Sequence, residues 1–130
     1  MKRFLQNWSP VLLYFGLIFL LSSSPAGVKP GIDKALHVVE YAVMGFFTAR
    51  GVLLSWDLSR SQGIALGAAL AAVLGALDEL HQHFVPGRQA SLFDLGADAV
   101  GAILGALLFV GLGSLLYGSA KLYPRHDKCG

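Results

Sequence analysis

Charge is what this chain has least of. Only 14% of its 130 residues are Asp, Glu, Lys or Arg, and the formal net charge is +2. With no basic run and no interleaving of aromatic and basic residues, nucleic acid is not an expected partner. Cysteine is nearly absent: Cys129 stands alone in a polar tail, which excludes an internal disulfide. HExxH, paired CxxC, dense DxD and Gly-rich phosphate-loop patterns are all missing, and no serine sits in a nucleophile setting. No metal and no cofactor is therefore expected.

What is present is apolar. Hydrophobic residues make up 55% of the chain and the mean hydropathy is +0.60, values that point to a membrane protein. The length suits a single domain over residues 1–130. Apolar stretches predict an all-α, four-helix transmembrane bundle, with helices at roughly 8–24, 33–54, 61–84 and 91–117. Spans of about 20 residues match a hydrocarbon core of about 30 Å. Trp8 is expected at an interface and Asp33 as the cap of the second helix. Pro86-Gly87 is expected to stop the third. Ser22 to Gly27 has the composition of a signal-peptide cleavage region, but the first segment is read as retained.

Sidedness follows from the cations. Lys2, Arg3, Arg50, Arg60, Lys121, Arg125 and Lys128 lie on the side of the termini, while Lys29, Lys34 and Arg88 lie on the other. The positive-inside rule then places both termini of this multi-pass chain in the cytoplasm. Gly63, Gly67, Ala71 and Gly75, and again Gly101 and Gly105, recur every four residues. Such small-residue stripes are expected at helix contacts.

Against this background the polar residues stand out. Asp33, His37, Glu40 and Tyr41 fall on one face of the second helix. Asp78, Glu79 and Gln82 share a face of the third, and Asp94 and Asp98 a stripe of the fourth with Gly101 and Gly105. At about 1.5 Å per residue, Glu40, Asp78 and Asp98 each lie about 10 Å below their helix ends, so the three faces occupy one depth in the outer third of the bilayer. A carboxylate at mid-membrane costs about 2.5–3.5 kcal/mol on insertion scales, so these acids are expected to be paired or to share protons.

Each group has two readings. His37 is a proton carrier or metal ligand, or it orients Asp33 or Tyr41. Asp78 and Glu79 supply a general acid and base, or they bind Arg88 and Lys34. Arg88 clamps an anionic head group, or it anchors the chain at the interface. Asp94 fits a helix N-terminus, whereas Asp98 is too deep for that account. His81 and His83 are assigned surface roles.

The ordered set Asp33-Lys34-x-x-His37-x-x-x-Tyr41, then Asp78-Glu79-x-x-Gln82-x-Phe84-x-Pro86-Gly87-Arg88, then Asp94-x-x-x-Asp98-x-x-Gly101-x-x-x-Gly105, resembles the VanZ-like family of bacterial membrane proteins. The Ser-Ser-Ser-Pro ending of the first helix is similar too. The resemblance implies a four-helix membrane domain and a link to resistance against the glycopeptide teicoplanin. One departure is Asp98, where the family more often carries Asn.

Three functions fit. The first is an envelope protein in which Lys34 and Arg88 hold the charged head of an anionic, lipid-linked or peptide-bearing ligand. That ligand would be a lipid-linked cell-wall precursor or a glycopeptide, and Asp33, His37, Glu40, Tyr41, Asp78, Glu79, Gln82, Asp94 and Asp98 would line its site. The second is an enzyme using His37 and Asp78/Glu79 for acid–base chemistry on a lipid-linked substrate. The third is a structural or partner-binding bundle. Oligomeric state is not legible in the sequence.

Overall fold

The computed structural model describes residues 2–24, 32–88 and 90–122, with side chains up to Leu115. Four helices follow one another: α1 (Lys2–Ser22), α2 (Ile32–Ser55), α3 (Arg60–His83) and α4 (Leu92–Leu122). All four are long and apolar enough to cross a membrane. Their outward faces carry exposed Leu12, Leu13, Leu20, Val73, Leu77, Leu80, Leu107 and Leu108. In water such a surface would aggregate; in lipid it is the ordinary outside of a multi-pass protein.

α2 is the centre of the bundle, packing along α4 and also against α3 and α1, whereas α1 touches α2 and α3 alone among the described helices. Small residues explain the closeness. A Cβ on Gly101 would run into the Val38 backbone, and one on Gly105 into the Ala42 carbonyl; on α3, a Cβ on Gly67 would lie 2.6 Å from Ala49 Cα. Both glycine stripes therefore lie at helix contacts, as expected from their spacing, with Gly101, Gly105 and Gly67 against α2. Aromatic contacts fill the remainder: Phe46 meets Phe109 edge-on at 5.2 Å and Tyr14 meets Phe47 at 5.7 Å. The buried Thr48 hydroxyl lies 2.8 Å from the Gly67 carbonyl, a polar link between α2 and α3.

The ends of the helices differ from the sequence expectation. α1 begins at Lys2 instead of near Trp8, because its first turns dock on the end of α2. Asn7 Nδ2 donates to the Leu54 carbonyl at 3.1 Å, Trp8 Nε1 to Ser55 Oγ at 3.0 Å, and Arg50 to the Asn7 carbonyl at 3.1 Å. Pro10 sits inside this helix, and the Gln6 carbonyl that its missing N–H would serve lies 3.4 Å from Ser9 Oγ. Asp33 lies in the first turn of α2 instead of capping it, a position the helix dipole also favours. α3 starts one residue early because Ser59 and Gln62 form a reciprocal capping box. It ends at His83, and Gly87 takes the positive φ of 84° that turns the chain. α4 starts at Leu92, with Ser91 Oγ accepting from the Phe93 N–H, and runs to Leu122, past the expected end. Lys29 and the Pro30-Gly31 loop, Pro25 to Gly27 of the cleavage-like stretch, and Arg125, Lys128 and Cys129 lie outside the described residues.

Candidate functional site

α1 and α3 finish, and α2 and α4 begin, at the same end of the bundle. At this end the polar faces of α2, α3 and α4 meet. His37, Asp78, Glu79, Gln82, Asp94 and Asp98 are all buried, and Asp98 is fully so. Tyr41 is also fully buried, while Asp33 and Glu40 are partly exposed.

Three sets of bonds hold these groups. Asp78 accepts from the Ser22 hydroxyl at 2.6 Å and from Gln82 Nε2 at 2.8 Å, which ties α1 to α3. His37 Nδ1 lies 2.8 Å from Asp98 Oδ1, joining α2 to α4, and 3.9 Å from Glu79 Oε1 on α3. Glu79 Oε2 accepts the backbone N–H of Ser91 at 3.1 Å. Gly75 makes room for this arrangement, since a Cβ there would lie 2.9 Å from Asp98 Oδ2 and 3.2 Å from the Tyr41 ring. Tyr41 Oη, Glu79 Oε1, Asp94 Oδ1 and Asp98 Oδ2 are buried without a hydrogen-bond partner among the described residues. In a close-packed apolar interior such atoms are few and call for an explanation.

Neither Lys34 nor Arg88 pairs with Asp78 or Glu79, the alternative the sequence offered for these acids. Arg88 donates from Nε to the Ser24 carbonyl at 3.2 Å and from Nη2 to the Leu21 carbonyl at 3.4 Å, so it caps the end of α1 and makes no salt bridge with Asp78 or Glu79. A helix C-terminus leaves carbonyls open and carries partial negative charge, which is why a guanidinium settles there. Lys34 reaches Asp94 Oδ1 at 3.8 Å and sits 5.0 Å over the Phe93 ring; its side chain is half exposed, so the pair contributes little. His37 bonds neither Asp33 nor Tyr41 but a carboxylate of another helix. His81 stacks on Phe19 at 3.9 Å and meets Ser23 Oγ at 3.0 Å, locking α3 to the end of α1, while His83 is exposed.

A cavity of about 220 Å³ opens beside these groups. Asp33, His37, Glu40, Asp78, Gln82 and Arg88 provide its polar wall, and Ile18, Leu21 and Leu36 its apolar one. Glu40 makes no side-chain hydrogen bond among the described residues, so its carboxylate is available to a ligand. A second groove of about 240 Å³ runs past Glu79 and Ser91 on the α3–α4 side. Of the sequence candidates, Tyr41, Asp94 and Asp98 lie behind the cavity wall, and Lys34 stands apart from it. Ser22, Ser91 and Gly75 were not among the sequence candidates, because each acts across a helix interface whose register periodicity does not report.

Among the described residues, two groups could hold a metal. The ligand atoms of His37, Glu79 and Asp98 lie within 4.8 Å of one another, as do those of Asp33, His37 and Asp94. No linear motif announced either, since each draws on more than one helix.

A family model described as VanZ/LLP1 matches residues 2–116, from the start of α1 well into α4. No curated protein and no solved structure matches the chain.

Proposed function

The chain belongs to the VanZ/LLP1 family, and from that premise we propose that it is an envelope protein of the bacterial inner membrane whose polar cavity binds a lipid-linked or peptide-bearing ligand. Both termini lie in the cytoplasm, by the distribution of Lys and Arg, so the cavity opens toward the outer leaflet. The observation that carries this reading is the cavity itself: ionisable side chains from α2 and α3 line an opening in a bundle whose outer faces are apolar.

The charge of the wall selects the ligand. Asp33, Glu40 and Asp78 outnumber Arg88 there, and Arg88 already serves the α1 carbonyls. The part of the ligand that enters is therefore an amine or hydroxyl donor, as on a peptide, and any phosphate or carboxylate stays outside the cavity. The volume suits a head group and leaves the acyl chain in the bilayer. A contribution to teicoplanin resistance is the physiological form of this reading.

The test is the inhibitory concentration of teicoplanin for a susceptible Gram-positive host expressing the chain. Wild type raises it several-fold, and Glu40→Ala, which breaks no internal bond, returns it to the vector level with unchanged membrane accumulation. No effect of wild type would refute the resistance role. Full activity of the alanine variant would refute the cavity as its seat.

The contact between His37 and Asp98 supports a second reading, acid–base chemistry on a lipid-linked substrate, because a carboxylate that fixes an imidazole's tautomer is how a general base is oriented. The pair differs from the one expected, since Asp78 is engaged by Ser22 and Gln82. Turnover of envelope lipids by purified protein, lost in His37→Gln, would establish it; ligand binding without turnover would reject it.

A further inference from the structure

We propose that His37, Glu79 and Asp98 form a binding site for a divalent transition-metal ion, with zinc as its simplest occupant. Three helices deliver one ligand each: His37 Nδ1 from α2, Glu79 Oε1 from α3 and Asp98 Oδ1 from α4. The site shares His37 with the cavity wall but needs no ligand in that cavity.

The separations fit. Ligands about 2.0–2.2 Å from a tetrahedral ion stand about 3.3–3.6 Å apart. The observed 2.8 Å between His37 and Asp98 and 3.9 Å between His37 and Glu79 straddle that spacing, and Glu79 and Asp98 present atoms within 4.8 Å of each other, so rotation of the side chains would close the shell. One imidazole and two carboxylates suit Zn²⁺ or Mn²⁺, with water in the remaining positions; Ca²⁺ would need more oxygens.

The unsatisfied atoms point the same way. Glu79 is 7% exposed, its Oε1 has no hydrogen-bond partner among the described residues, and it faces the imidazole nitrogen already engaged by Asp98. Asp98 Oδ2 is likewise unpartnered. One N–H on His37 cannot serve both carboxylates, whereas a dication among three acceptors serves them together. The surroundings are built to aim them. The Ser91 N–H holds Glu79 Oε2 and so turns Oε1 inward, an outer-shell contact of the kind that orients metal ligands, and Gly75 leaves the space that Asp98 occupies. The alternative group of Asp33, His37 and Asp94 is weaker, because Asp33 is partly exposed and the Lys34 ammonium already stands at Asp94.

The experiment is zinc content after equilibrium dialysis of the purified full-length chain in detergent, with Co²⁺ absorption as the signature of coordination. The reference protein carries His83→Ala, His126→Ala and Cys129→Ser, which removes adventitious ligands. We expect one zinc per chain, a loss of affinity of at least tenfold in Glu79→Gln and Asp98→Asn, and no change in Asp94→Asn. A monodisperse reference protein that retains no zinc overturns the site. So does binding that survives Glu79→Gln, or that is lost in Asp94→Asn. Because the reference and Asp94→Asn arms leave the three ligands intact, misfolding of the other variants does not decide the outcome.

Discussion

Ser22 at the end of α1 donates its hydroxyl to the buried carboxylate of Asp78 on α3 at 2.6 Å. The bond connects the least buried of the four helices to the polar centre of the bundle, and both residues are almost wholly buried. Removing the hydroxyl leaves Asp78 Oδ1 without its partner where water enters poorly. Ser22→Ala should therefore lower stability by about 1–3 kcal/mol, the cost of a stranded buried polar atom. Thermal unfolding in detergent measures it, and a change within a few tenths of a kcal/mol would mean that water reaches this carboxylate.

His37 and Asp98 should behave as a coupled pair. In a double-mutant cycle with His37→Ala and Asp98→Ala, the coupling energy should exceed about 1 kcal/mol, above the average of about 0.6 kcal/mol for hydrogen bonds between membrane helices. The excess comes from the carboxylate, because charge-assisted bonds in an apolar setting are the strong ones. Additive losses would show that the two side chains do not interact.

Packing of α4 on α2 gives a sharper contrast. Gly105 has the Ala42 carbonyl where a Cβ would go, whereas Gly111 has nothing within 4 Å. Gly105→Ala must push two backbones apart and should cost about 1–3 kcal/mol, the usual penalty of overpacking. Gly111→Ala should be neutral or stabilising by up to about 1 kcal/mol, since alanine is the better helix former and meets no obstacle. Equal effects at the two positions, read by unfolding in detergent, would rule out this helix interface.

These contrasts show what the chain discloses before it folds. The faces of α2, α3 and α4 were legible because a period of 3.6 residues puts His37 and Tyr41, Asp78 and Gln82, or Asp94 and Asp98 on one side whatever the neighbours are. The stripe through Gly101 and Gly105 was legible for the same reason. Partners were not. That Asp78 takes Ser22 and Asp98 takes His37 depends on how far each helix slides along the next, which no single-helix periodicity encodes. That Arg88 takes the Leu21 and Ser24 carbonyls instead of Asp78 or Glu79 was not legible either, because only the position of α1 decides it. The early start of α3 was available in Ser59-x-x-Gln62, a capping signal outweighed by the polar residues around it.

Arg88 should act on α1 more than on its surroundings. Its two bonds close the Leu21 and Ser24 carbonyls, and both are solvent-exposed contacts of modest strength. Arg88→Ala should cost about 1 kcal/mol or less overall. It should speed amide hydrogen exchange in the last turn of α1, while the amides of α2 near Met44 and Thr48 keep their protection. Exchange unchanged at Leu21 to Ser24 would return Arg88 to the role of a ligand clamp.

Sidedness can be read with the protein's own single thiol. Seven of the ten Lys and Arg residues lie on the side of the termini in a four-span arrangement, so Cys129 is expected in the cytoplasm. A membrane-impermeant maleimide added to intact cells should leave Cys129 unmodified, and the same reagent on inverted vesicles should label it fully. A cysteine placed at His83, exposed at the cavity end, should give the reverse pattern in a Cys129→Ser background. Labelling of Cys129 from outside would turn the bundle over, so that the cavity faced the cytoplasm and drew its ligand from the inner leaflet.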